Sequence, residues 1–205
     1  MPALWTHSEK LLLASLSATR LTLLVSAGLP VETQNSSIDE RAVEEAAAHE
    51  GLDPPTLAGR LAAEKALAVS RRHPERVVLG ADQVLECEGE VFHKPADGAA
   101  AWAQLMRLSG RRHALHSAGA LAIGGQVVER FLGSAHLTMR PLTEGAVDLY
   151  LDLAGPDVLK SVGVYQLEGF GVHLFETVEG DHSTILGLPL LPLLAALRRL
   201  GCLAL

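Results

Sequence analysis

The segment Val77-Val78-Leu79-Gly80-Ala81-Asp82-Gln83 runs from a short apolar stretch into an acid flanked by small residues. A carboxylate held on rigid backbone at the end of a buried strand is fixed where solvent and a ligand can reach it. A second extended segment returns through Glu90-Val91 to Lys94-Pro95, so a hairpin brings a lysine back toward the acid. The plainer reading of Asp82 is a strand-end cap or the start of a turn. Earlier in the chain, Ser15, Ser17, Thr19 and Arg20 follow the apolar run Leu11-Leu12-Leu13-Ala14. There a strand-to-helix turn would present backbone N–H groups, two hydroxyls and a guanidinium at a helix N-terminus, which is a cradle for a phosphate. The P-loop pattern GxxxxGK[ST] is missing, and a capping box explains the serines equally well.

These residues need elements to hold them. Lys10 to Ala14 suits a buried strand, and Ser17 is a good N-cap for a helix through Leu21, Leu23, Leu24 and Val25, ended by Gly28. Pro30 to Thr33 reads as a second short strand, after which a polar loop from Asn35 feeds a Glu- and Ala-rich helix. Asp39 and Glu40 at its start favour the positive end of the helix dipole. Pro54-Pro55-Thr56 opens a longer helix with apolar positions at Leu57, Leu61, Ala62, Leu67 and Ala68; Lys65 falls at the edge of that stripe, where a snorkelling lysine is the ordinary outcome. Downstream, a helix opens near Asp97 and runs through Trp102 and Leu105 to Leu108. Extended segments Ala114–Ile123 and Gln126–Met139 flank Gly124-Gly125, a hairpin signal. A helix begins at Pro141-Leu142-Thr143, a Gly-punctuated loop from Gly163 to Gly171 leads into an extended Val172–Val178, and Pro189 to Leu200 closes the chain as a helix. Alternating helices and strands with interspersed hairpins predict an α/β or α+β protein with a mixed, twisted sheet.

Composition narrows the functions. With 205 residues and 48% hydrophobic content, the chain can bury one sizeable core or two lobes around a cleft. A formal net charge of −7 argues against a grip on nucleic acid through its phosphates, although a local cation cluster can still hold a small anion. Cys87 and Cys202 form neither a zinc spacing nor a disulfide framework, which suits a reducing cytoplasm. No signal peptide and no apolar run near the ~20 residues of a membrane span is read. His113 and His116 lack a third ligand at a telling distance, and no G-x-S-x-G elbow supports a Ser-His-Asp site.

Taken in order, LASLSATR, IDE, LAAEKA, GADQV, HKP, LSG, GVYQLEGFG and ILGLPL resemble the Maf family of nucleoside triphosphate pyrophosphatases, over roughly Leu11 to Gly201. The resemblance implies a Maf/ITPase-like α/β fold: a single domain over 1–205, with two lobes flanking a nucleotide-binding cleft. It also implies cleavage of a nucleoside triphosphate to its monophosphate and pyrophosphate with Mg²⁺ or Mn²⁺. The residues matching the family's site are Ser17, Arg20, Glu40, Lys65, Asp82 and Lys94, with Ser15 beside them in the cradle. In that setting the three cations would steady the phosphates, and Glu40 and Asp82 would offer hard oxygens to the metal. Asp82 is the family's proton acceptor, so it would act as base, metal ligand or both.

Two departures stand out. Ala18 and Thr19 precede Arg20, and Leu21 follows it, where the family commonly has a proline and paired arginines; Ser161 replaces the usual late-loop lysine, with Lys160 one position earlier. Gln83 and Glu168 match the branch of the family that prefers 7-methyl-GTP, while Thr19 stands where that branch usually has an aromatic residue. Glu168 could accept from guanine N1–H and the 2-amino group, whereas thymine and uracil offer one N–H. A nucleotide-binding regulator of cell division with little turnover is the alternative. A homodimer is left open, and no nucleic-acid or membrane partner is expected.

Overall fold

The structure is a computed structural model, and it describes residues 4–205. Two compact units make it up: one of residues 4–83, 117–133 and 187–205, the other of residues 84–116 and 134–186. Strands β1 (Leu11–Leu13), β2 (Val31–Thr33), β3 (Val78–Cys87), β4 (Glu90–Phe92), β5 (Arg112–Ile123), β6 (Gln126–Met139) and β7 (Phe175–Glu179) form one seven-stranded mixed sheet. Its order is β2-β1-β3-β5-β6-β7, with β4 paired to β3. The long strands β3, β5 and β6 each pass from one unit into the other.

In the first unit β1 lies between β2 and β3 and is parallel to both. The chain leaves β1 through helix α1 (Ala18–Ser26) to reach β2, and leaves β2 through α2 (Glu40–His49) and α3 (Pro54–Ser70) to reach β3 on β1's other side. Crossovers between parallel strands are right-handed, so steps in opposite directions put their helices on opposite faces of the sheet. The packing agrees. Leu11, Leu13, Leu79 and Ala81 join Leu24 of α1 in one buried cluster. The alternate residues Leu12, Ala14 and Val78 pack with Val69 of α3. The carboxyl end of β1 is therefore a topological switch point, where an open α/β sheet leaves a crevice for ligands.

N-caps start these helices where their sequences direct. Ser17 accepts from Arg20 N at 3.4 Å, Asp39 from Ala42 N at 3.1 Å and Asp53 from Thr56 N at 2.9 Å. Gly80 decides how close α3 comes: a Cβ there would lie 2.1 Å from Ala62 O and 2.5 Å from Ala66 N. Helix α7 (Leu190–Arg199) adds Leu193, Ala196 and Leu197 to the α1-side cluster.

The second unit has its own core. Leu85, Cys87 and Phe92 pack with Leu105 and Leu108 of α4 (Gly98–Leu108) and with Val147 and Tyr150 of α5 (Glu144–Ala154). Asp97 caps α4 and Thr143 caps α5. Gly124 and Gly125 turn the β5–β6 hairpin with φ of 60° and 75°, the left-handed values such a two-residue turn requires. A one-turn helix, α6 (His182–Ile185), is capped by Asp181.

Two expectations need correction. Asp82 was expected near a strand end, but β3 continues five residues beyond it, to Cys87, because β4 pairs with Leu85–Cys87 and extends the strand. The segment Val172–Val178 was expected to be extended throughout. Its first part is instead a 3₁₀ turn, Phe170–Leu174, and only Phe175–Glu179 is strand. Gly171, inside that turn, packs so tightly on the Gln166 backbone that a Cβ would lie 2.5 Å from Gln166 O.

Candidate active site

At the carboxyl end of β1, Ser15 and Ser17 build the turn into α1. The Ser15 hydroxyl oxygen accepts from Ser17 N at 3.2 Å and from Arg20 Nη1 at 3.3 Å. Both serine oxygens therefore accept in holding the turn, as the capping explanation expected, and each O–H remains chemically able to donate to an anion. By helix geometry the N–H groups of Ala18 and Thr19 have no intrahelical partner, so the positive end of α1 faces the same place. Arg20 is half-buried and pinned on three sides. Beyond Ser15, its Nη1 donates to Ala81 O at 3.0 Å and its Nε to Gly187 O at 2.8 Å. Burial pushes the guanidinium down from its ordinary pKa, and the carboxylates of Asp82 and Glu40 oppose that shift. Those two acids thus act electrostatically on the cradle's arginine.

On the opposite face, α3 carries Lys65 to the middle of β3. Lys65 is only 7% exposed, and its ammonium is shared: Nζ lies 2.5 Å from Asp82 Oδ1 and 2.9 Å from Glu40 Oε1. Asp82 is buried as well, while half of the Glu40 side chain faces solvent. A lysine so placed is no snorkelling residue. It is the junction of two carboxylates supplied by the first residue of α2 and by β3. The two acids at the start of α2 have separate tasks: Asp39 caps the helix, and Glu40 reaches Lys65.

Asp82 and Gln83 are neighbours on a strand, so their side chains leave opposite faces. Asp82 goes with Gly80 to the α3 side. Gln83 follows Ala81 to the α1 side, where its Nε2 donates to Ser117 Oγ of β5 at 2.9 Å. The first unit therefore gathers Ser15, Ser17, Thr19, Arg20, Glu40, Lys65, Asp82 and Gln83 around the switch point, in two groups separated by the sheet. Lys94 and Glu168 stand exposed on the second unit, Lys94 just after β4 and Glu168 just before the 3₁₀ turn. No group of three or more His, Cys, Asp or Glu residues suited to a metal occurs among the described residues.

A profile of the Maf-like protein family matches residues 10–200. The chain belongs to the Maf family. It is 53% identical over 197 residues to the nucleoside triphosphate pyrophosphatase of Nitrobacter winogradskyi, covering 96% of each chain. It is 54% identical over 202 residues to the protein of the same name from Rhodopseudomonas palustris strain BisB18, covering 98% of each. It is also 50% identical over 194 residues to the 7-methyl-GTP pyrophosphatase of Mesorhizobium japonicum, covering 95% of this chain and 98% of that one.

Several residues that shape this Maf-family site were not singled out from sequence. Gly187, within ILGLPL, has φ of 94° and offers its carbonyl to Arg20; a Cβ there would lie 3.3 Å from Arg20 Nε. The glycine between apolar residues was the available signal. Ser117 was another, since a serine within the apolar run from Ala114 to Ile123 must find a partner once buried. The histidines do ordinary work: His113 Nε2 meets Tyr165 Oη at 2.7 Å and His116 Nδ1 meets Ser134 Oγ at 2.8 Å.

Proposed function

We propose that this chain, a Maf-family hydrolase acting on nucleoside triphosphates, releases pyrophosphate from its substrate and prefers 7-methyl-GTP. The observation that carries the reading is the Glu40–Lys65–Asp82 junction beside a helix N-terminus at the sheet's switch point. Buried charge of this kind, next to an anion cradle, marks a place where charge is handled. Ser15, Ser17, Arg20 and the α1 N–H groups would hold the triphosphate, whose accumulating negative charge on cleavage they offset. Asp82 accepts a proton from the water that attacks the α-phosphorus. The bond from that phosphorus to the bridging oxygen then breaks, and pyrophosphate departs with the electron pair. Lys65 keeps the Asp82 carboxylate in one orientation.

The donor set fits a divalent cation. Glu40 and Asp82 offer hard carboxylate oxygens no farther apart than two bonds to one ammonium, of 2.9 and 2.5 Å. Mg²⁺ is commonly held by one or two carboxylates together with substrate phosphates and waters. When bound it would neutralise phosphate charge and acidify water. Lys94 and Glu168, exposed on the second unit, are candidates on the family resemblance alone, Lys94 for phosphates and Glu168 for a base. Gln83 is proposed as a second base contact. The 7-methyl preference is proposed on the residue types at Glu168 and Gln83 that the family resemblance singles out; a 7-methylguanine ring is cationic and presents adjacent N–H donors, which suits a carboxylate such as that of Glu168. A cytoplasmic location is in keeping with two free, buried cysteines, and no helix among the described residues is long and apolar enough to cross a membrane.

A panel of 7-methyl-GTP, GTP, UTP and dTTP with Mg²⁺ or Mn²⁺ tests the proposal. Monophosphate and pyrophosphate are the expected products, with the highest kcat/KM for 7-methyl-GTP, and Glu168→Gln narrows that preference over UTP. Orthophosphate release contradicts the chemistry; binding without turnover would favour the regulatory alternative; an unaltered substrate ratio in Glu168→Gln removes that residue from base selection.

A further inference from the structure

We propose that Ser117 is a positioning residue for base selection: its hydroxyl accepts the Gln83 Nε2–H and fixes which end of that amide a nucleotide meets. The inference deepens the proposed function and rests on its reading of Gln83 as a base contact.

Ser117 is fully buried, and a hydroxyl taken out of water is costly unless it is hydrogen-bonded. The strand around it is otherwise apolar, Ala114-Leu115 before it and Ala118 to Ile123 after it, apart from His116. Two residues along β5 on the same face, Gly119 leaves room for the Phe131 ring, which a Cβ would meet at 2.2 Å, and Leu121 joins the α1-side core. Packing on that face thus asks for small or apolar residues. The hydroxyl instead meets Gln83 at 2.9 Å.

Chemistry supplies the consequence. A glutamine side chain carries a donor end and an acceptor end of nearly equal shape, and free rotation would let it present either. Guanine and uracil differ in the order of donors and acceptors along their edges, so an amide discriminates between them only if its orientation is fixed. Anchoring Nε2 to a strand hydroxyl fixes it without placing Ser117 against the ligand. Gln83 also sits on the α1 side, the side of Arg20 and the cradle, and not on the side of Lys65 and Asp82. A fault in this bond should therefore alter choice of base.

The test is kcat/KM for 7-methyl-GTP and for UTP in wild type, Ser117→Ala, Ser117→Thr, Gln83→Ala and the double variant Ser117→Ala/Gln83→Ala, each with thermal unfolding recorded. Loss of one such hydrogen bond is expected to lower the 7-methyl-GTP to UTP ratio about three- to tenfold in Ser117→Ala, through KM. Ser117→Thr, which keeps the hydroxyl, should restore the ratio. In the Gln83→Ala background, removing the Ser117 hydroxyl should have no further effect. Should Ser117→Ala fail to fold, Ser117→Cys keeps the volume with a poor acceptor and serves the same purpose. An unchanged ratio in Ser117→Ala, alongside a changed one in Gln83→Ala, overturns the proposal while leaving Gln83 in place. An equal effect in both backgrounds also overturns it. If Gln83→Ala itself leaves the ratio untouched, the underlying reading of Gln83 fails, and the proposal goes with it.

Discussion

Replacing Lys65 with methionine keeps the length and apolar stem of the side chain and removes only its charge. The ammonium it removes lies 2.5 Å from Asp82 and 2.9 Å from Glu40, with the Asp82 side chain 11% exposed and that of Glu40 52% exposed. Breaking a buried ion pair by deleting one partner costs about 3–5 kcal/mol, because the other charge is left in a poor solvent. Water can reach Glu40, so the lower end applies, about 3 kcal/mol. For a chain of this size each kcal/mol lowers Tm by about 2–4 °C, giving a fall of about 6–12 °C. Asp82→Asn leaves Lys65 its bond to Glu40 and still offers it an amide oxygen, so about 1–2 kcal/mol is expected. The informative variant is Lys65→Met/Asp82→Asn, in which no uncompensated carboxylate remains on β3. It should be at least ~1 kcal/mol more stable than the sum of the single losses allows. Activity should show no such recovery: if Asp82 is the proton acceptor proposed above and Lys65 its orienting partner, pyrophosphate release falls at least about 100-fold in all three variants. Urea unfolding and a pyrophosphate assay on the same preparations read both quantities. Additive stabilities, or a Lys65→Met variant within about 1 kcal/mol and tenfold of wild type, would refute the reasoning.

Two further outcomes follow from packing and burial. Gly80→Ala should lower stability by about 1–3 kcal/mol or more, because its Cβ meets backbone atoms of Ala62 and Ala66 that cannot turn aside; pushing α3 outward also carries Lys65 away from Asp82, so activity and Tm should fall together, and a fully active, equally stable variant contradicts the account. Burial holds His113 at a pKa of about 4, below its ordinary 6.5. The unfolded chain therefore binds the proton more readily, and stability is fully present above pH 6.5 and lost as pH falls from there toward 4. Comparing the pH dependence of unfolding in wild type and His113→Gln should show a shallower acid limb in the variant, amounting to about 3 kcal/mol at most over that window; parallel curves would remove His113 from the acid response.

Much of this protein is written in short-range signals. Ser17, Asp39, Asp53, Asp97 and Thr143 cap the helices that their side chains announce, and Gly124-Gly125 makes the hairpin. Such signals are legible because a cap or a turn is decided within a few residues. The ordered blocks from LASLSATR to ILGLPL carried the family for a similar reason: motif and spacing are properties of the chain itself. What Lys65 does could not be read that way. On its helix it looks like any lysine beside an apolar stripe, and only the approach of α3 over Gly80 and the arrival of Glu40 turn it into a buried bridge.

The same division holds for Asp82 and Gln83. Sequence alone determined that an acid and an amide stand side by side after an apolar run, and strand geometry requires that they part to opposite faces. Which helix covers each face, and therefore that Asp82 meets Lys65 while Gln83 meets Ser117, was decided only when parallel crossovers in opposite directions sent α3 to one side of β3 and α1 to the other. The physical reason is range: partners 17 and 34 residues away in the chain are chosen by how the sheet is assembled, and no local pattern records it.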